Sequence, residues 1–79
     1  MKLINHIKQH RARLNLTQQD LAEIIGVRRQ TILAVEKDKY VPSALLAFQI
    51  AKALDMPVTE LFQMIDSEID EGQQEGTSS

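Results

Sequence analysis

Arg28, Arg29 and Gln30 stand together just after Gly26-Val27, and Leu33 and Ala34 follow one helical turn later. Residues of these types can read the edges of base pairs. A guanidinium forks onto guanine O6 and N7, a carboxamide onto adenine N6 and N7, and leucine or alanine packs on a thymine methyl. With about 100° per residue and Arg28 at zero, Ile32 and Val35 fall within about 40° of it, so that side faces a core. Arg29, Leu33, Lys37, Gln30 and Ala34 spread from about 100° to about 240°, on the side away from the core. The outward strip is apolar or small at Leu33 and Ala34 and flanked by groups that hydrogen-bond, a chemistry that suits a major groove. Arg and Gln are also ordinary on any solvated helix face, so composition alone leaves both readings open.

His6 and His10 have the i, i+4 spacing of two metal ligands on a helix. A third ligand is not evident in the sequence, and a solvated face explains the pair better, so no metal and no other cofactor are expected. Two histidines on one helical turn do not make a nucleophile with a base and an orienting group, and there is no glycine-rich phosphate loop. A chain of 79 residues buries only about 60% of the surface its unfolded form exposes, which leaves little room for an enclosed catalytic pocket or a small-molecule site. An enzyme is therefore not expected. The absence of cysteine excludes disulfides and thiolate metal sites and fits the reducing cytoplasm. Asn5, His6, Lys8, Gln9 and Arg11 interrupt any apolar run at the start, so no signal peptide is read there. No segment approaches the ~20 apolar residues of a membrane span.

The net charge of −2 is the sum of two unlike parts. Residues 66–79 carry Asp66, Glu68, Asp70, Glu71 and Glu75 without a Lys or Arg, which is −5, whereas residues 1–65 carry all nine basic residues against six acidic ones, which is +3. The division predicts a mildly basic folded domain over residues 1–66 and an acidic tail over residues 67–79, too poor in apolar residues to offset the entropy of ordering.

The elements that must position the strip follow from periodicity. Leu3 or Ile4, Ile7 and Leu14, with Arg11 completing the series, predict a first helix from about Ile4 to Leu14, ended by Asn15. Thr17 is a good N-cap, with Asp20 at the capping-box position, for a second helix from Gln18 to about Ile25 that buries Leu21, Ala22 and Ile25. Gly26 can take the left-handed conformation that stops a helix at little steric cost. The third helix runs from about Arg29 to Lys37. Pro42 and Ser43 open a fourth, about Ser43 to Leu54, carrying Ala44, Ala47, Phe48, Ile50, Ala51 and Leu54. Pro57 opens a short fifth, Val58 to Gln63, with Leu61 and Phe62 as anchors. The expected fold is all-α, five short helices. A second possibility for the ends is a strand pair, Phe62 to Ile65 alongside Leu3 to Asn5, which would add a small β element.

Read as a whole, "TQQDLAEIIGVRRQTILAVEKDKY", Thr17 to Tyr40, resembles the helix-turn-helix of the phage repressor and Cro family, the Xre-like regulators. Ala22, Gly26 and Ile32 fall on that family's spacing: a small residue where two helices cross, glycine in the turn, and an aliphatic in the second helix. The resemblance runs from about Ile4 to Phe62 and implies a lambda-repressor-like domain that binds double-stranded DNA and regulates transcription, as a repressor. Carried over by position, it places Arg28, Arg29, Gln30, Leu33 and Ala34 on bases. Lys37, Lys39 and Tyr40 then fall to phosphates, and Gln18 to a phosphate or a base at the edge of the site. It also implies that Arg11 and Glu36, polar residues at core-facing positions, pair and tie the first helix to the third; the bland alternative is two independent surface charges. Arg28 departs from the family's usual Ser or Thr N-cap, which should weaken the helix start by roughly 0.5–2 kcal/mol.

One helix reads too few base pairs for genomic selectivity, so a two-fold homodimer is expected. Met64 and Ile65 continue an apolar run after the core is filled and are its candidate interface. The alternatives to a DNA-binding regulator are the antitoxin of a toxin-antitoxin pair, which adds a protein partner, and a protein-interaction adaptor on the same fold. The Arg28-Arg29-Gln30 strip favours the regulator.

Overall fold

The computed structural model describes residues 1–66. The acidic tail expected over residues 67–79 lies outside the described residues. Along the chain come β1 (Lys2–Asn5), α1 (Ile7–Arg13), α2 (Gln18–Ile25), α3 (Arg29–Glu36), α4 (Ala44–Ala53), α5 (Val58–Leu61) and β2 (Phe62–Ile65). The fold is thus mostly helical, with five helices and a small antiparallel β pair. In the pair Lys2 faces Ile65, Leu3 faces Met64, Ile4 faces Gln63 and Asn5 faces Phe62.

Every helix contributes to one core. Ile7 of α1, Leu21 and Ala22 of α2, Ile32 and Val35 of α3, Leu46, Ile50 and Ala51 of α4, and Leu61 of α5 are buried, with Leu54 at the end of α4. The helical period accounts for the set, since each contributing helix turns one apolar stripe inward. Leu16, Val27, Val58 and Phe62 pack around its margin. Within α4 the period selects Leu46 in place of Phe48, which is 61% exposed. Ile25, expected inside, is only half-buried.

Two helix limits differ from the all-helical reading, and the strand pair given as the second possibility, Phe62 to Ile65 alongside Leu3 to Asn5, is what forms. The first helix does not begin at Ile4, because Leu3, Ile4 and Asn5 are drawn into the strand pair. The Asn5 side chain then ends the strand and starts the helix, its Oδ1 accepting the Ile7 N–H at 3.1 Å. The fifth helix stops at Leu61 rather than Gln63. Phe62 turns extended and the following backbone pairs with β1. In both places the ladder across the strands satisfies backbone groups that a continued helix end would leave without partners.

Helix ends are set by one recurring device. Asn15, Asp38 and Asp55 have φ of 59°, 62° and 57°. Each follows a helix whose last carbonyls are taken by the next two amides, as when Asp38 donates to Val35 O and Lys39 to Ala34 O. These are left-handed caps filled by the non-glycine residues that best tolerate that conformation.

At the start of α2, Thr17 Oγ1 accepts the Asp20 N–H and Asp20 Oδ2 accepts the Thr17 N–H, both at 2.9 Å. The Thr17 backbone amide, aided by its hydroxyl, holds the Asp20 carboxyl below the ordinary aspartate range. A carboxylate depressed in the folded state contributes stability that is complete above the unfolded pKa and is lost as pH falls through the folded one. Denaturation of the parent chain and of Asp20→Asn from about pH 6 to about pH 2 should give a stability difference that is full above about pH 4 and shrinks below it. A difference that stays constant to the acid limit would mean that the charge plays no part.

Candidate nucleic-acid interface

The turn between α2 and α3 is made by Gly26, whose φ of 79° favours a residue without Cβ. A Cβ at this position would meet no atom within 4 Å, so the requirement for glycine is one of backbone conformation and not of space. Gly26 and Val27 both donate to Ala22 O, at 2.8 and 2.9 Å, which folds α3 back across buried Ala22. The next residue, Arg28, is the N-cap of α3, extended at φ −79° and ψ 151°, and no side chain caps that helix start. Arg28, Arg29 and Gln30 are exposed, Leu33 and Ala34 are half-buried, and Ile32 and Val35 are buried beneath them. Two guanidiniums therefore stand at the positive end of a helix whose first amides point the same way, an arrangement that attracts anions.

The far end of α3 adds three more groups. The left-handed Asp38 turns the chain sharply, so that Lys37, Lys39 and Tyr40 are all exposed beside the helix end. Gln30, Thr31, Ala34 and Tyr40 line a single surface groove, which brings a residue expected to meet phosphate next to residues expected to meet bases. Among the described residues, Arg28, Arg29, Lys37 and Lys39 make no ion pair with the protein itself.

Beneath this face lies a charged cluster. Arg11 Nε and Nη2 donate to Glu36 Oε2 and Oε1 at 2.8 and 3.2 Å, and Arg11 Nη1 donates to Leu16 O at 2.8 Å. The side chains are 12% and 7% exposed. Gln18 Nε2 donates to Glu36 Oε1 at 3.2 Å, which turns its carboxamide inward and leaves its second amide hydrogen and its backbone N–H for other partners. Glu36 thus joins α1, α2 and α3. The sequence reading missed Gln18 as a member of this cluster.

It also missed the reach of Asn5, which it placed either in the first helix or at the end of a strand pair, the second being what forms. Asn5 Nδ2 lies 3.0 Å from Val35 O, 3.4 Å from Glu36 O and 3.3 Å from Asp38 Oδ1, on the last turn of α3. The available signal was an Asn just before Ile7, the first firmly periodic apolar residue, which is a helix-start pattern. His6 and His10 are not brought together on a shared ligand. The His6 ring meets Gln63 Oε1 at 3.1 Å and the His10 ring meets Arg13 at 3.3 Å. Met64 and Ile65 lie on β2, remote in sequence from α3 and exposed.

A helix-turn-helix family matches residues 7–61, which spans α1 to α5 and so the whole frame that carries the strip. The chain belongs to this family of helix-turn-helix transcriptional regulators. Its curated relatives are of similar length. An uncharacterized HTH-type transcriptional regulator of Methanocaldococcus jannaschii is 52% identical over 64 residues, covering 81% of this chain and 97% of the relative. The regulator YgzD of Bacillus subtilis is 48% identical over 58 residues, 73% of this chain and 88% of that one. Among solved structures, a putative DNA-binding protein from Bacteroides fragilis superposes with a TM-score of 0.70 at 28% identity, over 77% of this regulator and 98% of that chain. The restriction-modification controller protein C.AhdI from Aeromonas hydrophila gives 0.65 at 28% identity, over 68% and 82%. No described helix of this helix-turn-helix regulator is long and apolar enough to cross a membrane. Among the described residues no group of three or more His, Cys, Asp or Glu is placed to hold a metal ion.

Proposed function

We propose that this regulator is a sequence-specific repressor that binds double-stranded DNA as a homodimer in the cytoplasm, with α3 in the major groove. The observation that carries the reading is the exposed Arg28-Arg29-Gln30 start of α3, held on a part-buried three-helix ion-pair cluster and flanked by Lys37, Lys39 and Tyr40. Arg28, Arg29, Gln30, Leu33 and Ala34 read bases. Lys37, Lys39 and Tyr40 hold phosphates, joined by Gln18 through its backbone N–H and free amide hydrogen. The work is binding, not catalysis, and repression follows from occupancy, since a protein seated in the groove across a promoter excludes the polymerase. Support for the DNA-binding reading includes the solved relatives, one described as a putative DNA-binding protein and one as a restriction-modification controller.

Selection of duplexes from a random pool with the full chain tests the reading, and the two residue sets should then separate. Arg29→Ala and Gln30→Ala are each expected to relax preference at particular base pairs by about 1–3 kcal/mol, whereas Lys39→Ala weakens all duplexes alike and lowers the salt slope by about one unit. Equal loss on selected and random DNA for Gln30→Ala would remove it from the base-reading set.

A further inference from the structure

The far end of the DNA-reading helix closes in the left-handed turn at Asp38, with the Asp38 N–H on Val35 O and the Lys39 N–H on Ala34 O. No side chain caps the helix start at Arg28, and no basic residue lies in its last turn. A side chain from outside the helix-turn-helix reaches the same far end. Asn5 stands at the end of β1 opposite Phe62, 30 residues before Val35, and its amide nitrogen is aimed at the α3 terminus, closest to Val35 O. The same nitrogen also reaches Asp38 Oδ1, the residue whose left-handed backbone throws Lys39 and Tyr40 back beside the helix. Its other atom, Oδ1, is occupied by the Ile7 N–H. One carboxamide therefore joins the strand pair, the first turn of α1 and the exit of α3, with its donor and acceptor ends committed to different elements.

We infer that Asn5 is a positioning residue for DNA recognition: it fixes the pitch of α3 and the placement of Lys37, Lys39 and Tyr40 from the strand pair, without itself touching DNA. The inference rests on the proposed sequence-specific reading by α3. Its chemistry requires an amide. A donor must meet the carbonyl-rich, partly negative end of α3 while an acceptor meets α1, and no other side chain of this size offers both in fixed geometry. A carboxylate at the same place would keep the bond to Ile7 and repel both the helix terminus and Asp38.

Asn5→Asp and Asn5→Ala in the full chain test this, each compared with the parent on a selected duplex and on a random one, at a temperature where thermal melts show all three folded. Both variants should lose about tenfold or more on the selected duplex, the scale of one mismatched base pair. Asn5→Ala, which adds no charge, should stay within about twofold on random DNA, where phosphate contacts dominate. Adding Asp38→Asn to Asn5→Asp returns a donor-acceptor pair to the same place and should recover part of the selected-site affinity. Amide exchange at Lys37, Asp38 and Lys39 reads the tether without DNA and should quicken in both single variants. Unchanged exchange there with an unchanged selected-to-random ratio overturns the inference. So does a parallel loss on both duplexes in step with a lower melting point, which reduces Asn5 to a fold-stabilising residue. A parent chain that prefers no duplex over another is recognised before any variant is made; it overturns the proposed reading and this inference with it.

Discussion

Glu36→Ala should lower the stability of the domain by about 3 kcal/mol, the low end of the range for removing one partner of a buried ion pair, because this pair is part-buried. The Arg11 guanidinium would remain, 12% exposed, with Leu16 O as its surviving acceptor, and Gln18 Nε2 would lose its partner. Most of the effect is the desolvated positive charge left behind, not the intrinsic worth of the pair. It follows that removing the charges together should do less harm: Arg11→Met with Glu36→Leu should recover much of the loss, because packed apolar groups of similar volume replace a buried pair at little net cost. A domain of this size has only about 3–10 kcal/mol in total, so the single variant should be largely unfolded at moderate temperature while the double variant is not. Urea titrations of the parent, the two single variants and the double variant measure the coupling directly. Additive losses would show that Arg11 and Glu36 stabilise the fold separately.

The same cluster shows what a sequence can and cannot tell. The strip on α3 was legible because helical period alone divides Ile32 and Val35 from Arg29, Gln30 and Leu33, and the structure buries the first two. The capping box at Thr17 and Asp20 and the stop at Gly26 were legible because each demands a residue type at a fixed offset from a helix end. Gln18 is a different case. Its position at the start of α2 is local information, but the direction of its carboxamide depends on where Glu36 lies after folding, 18 residues later.

The chain ends were the least legible part for a related reason. Four residues of each strand have no periodicity long enough to distinguish a strand from a helix turn, and the choice is made by pairing between Leu3 and Met64 across the whole domain. Asn5 shares that fate, since its three nearest acceptors lie on residues 35, 36 and 38. Phe48 shows the converse difficulty. A large apolar residue on a helix reads as core, yet neighbouring Leu46 and Ile50 already occupy the inward stripe of α4 and leave Phe48 outside.

The largest expected effect on DNA binding concerns Met64 and Ile65. Replacing Met64 with Lys and Ile65 with Glu should give a folded monomer whose affinity for a full site falls by about 10²–10⁴, the usual gain from joining two weak modules. On the proposed reading one α3 presents only a few side chains to bases, and about 1–3 kcal/mol for each good contact does not meet genomic competition unless a second copy adds its own. Two copies of α3 must then sit about 34 Å apart on one face of the duplex, which demands an interface away from the reading surface. Met64 and Ile65 meet that demand: they lie on β2, are 66% and 39% exposed, and side-chain alternation puts them on opposite faces of the strand pair. Met64 shares its face with Leu3 and Phe62, and Ile65 shares the other with Lys2 and Ile4. The domain can cover one face of a two-stranded sheet at most, so apolar groups on the other face are left for a second copy, which a two-fold axis would seat on the same face of each. Fold stability should barely change, because neither side chain belongs to the core, so a loss of full-site binding with an unaltered melt separates dimerisation from unfolding. Sedimentation at tens of micromolar reads the assembly state. A mass near one chain for the parent, with full-site affinity kept in the double variant, would end the dimer proposal and require a monomer to find its selectivity from α3 alone.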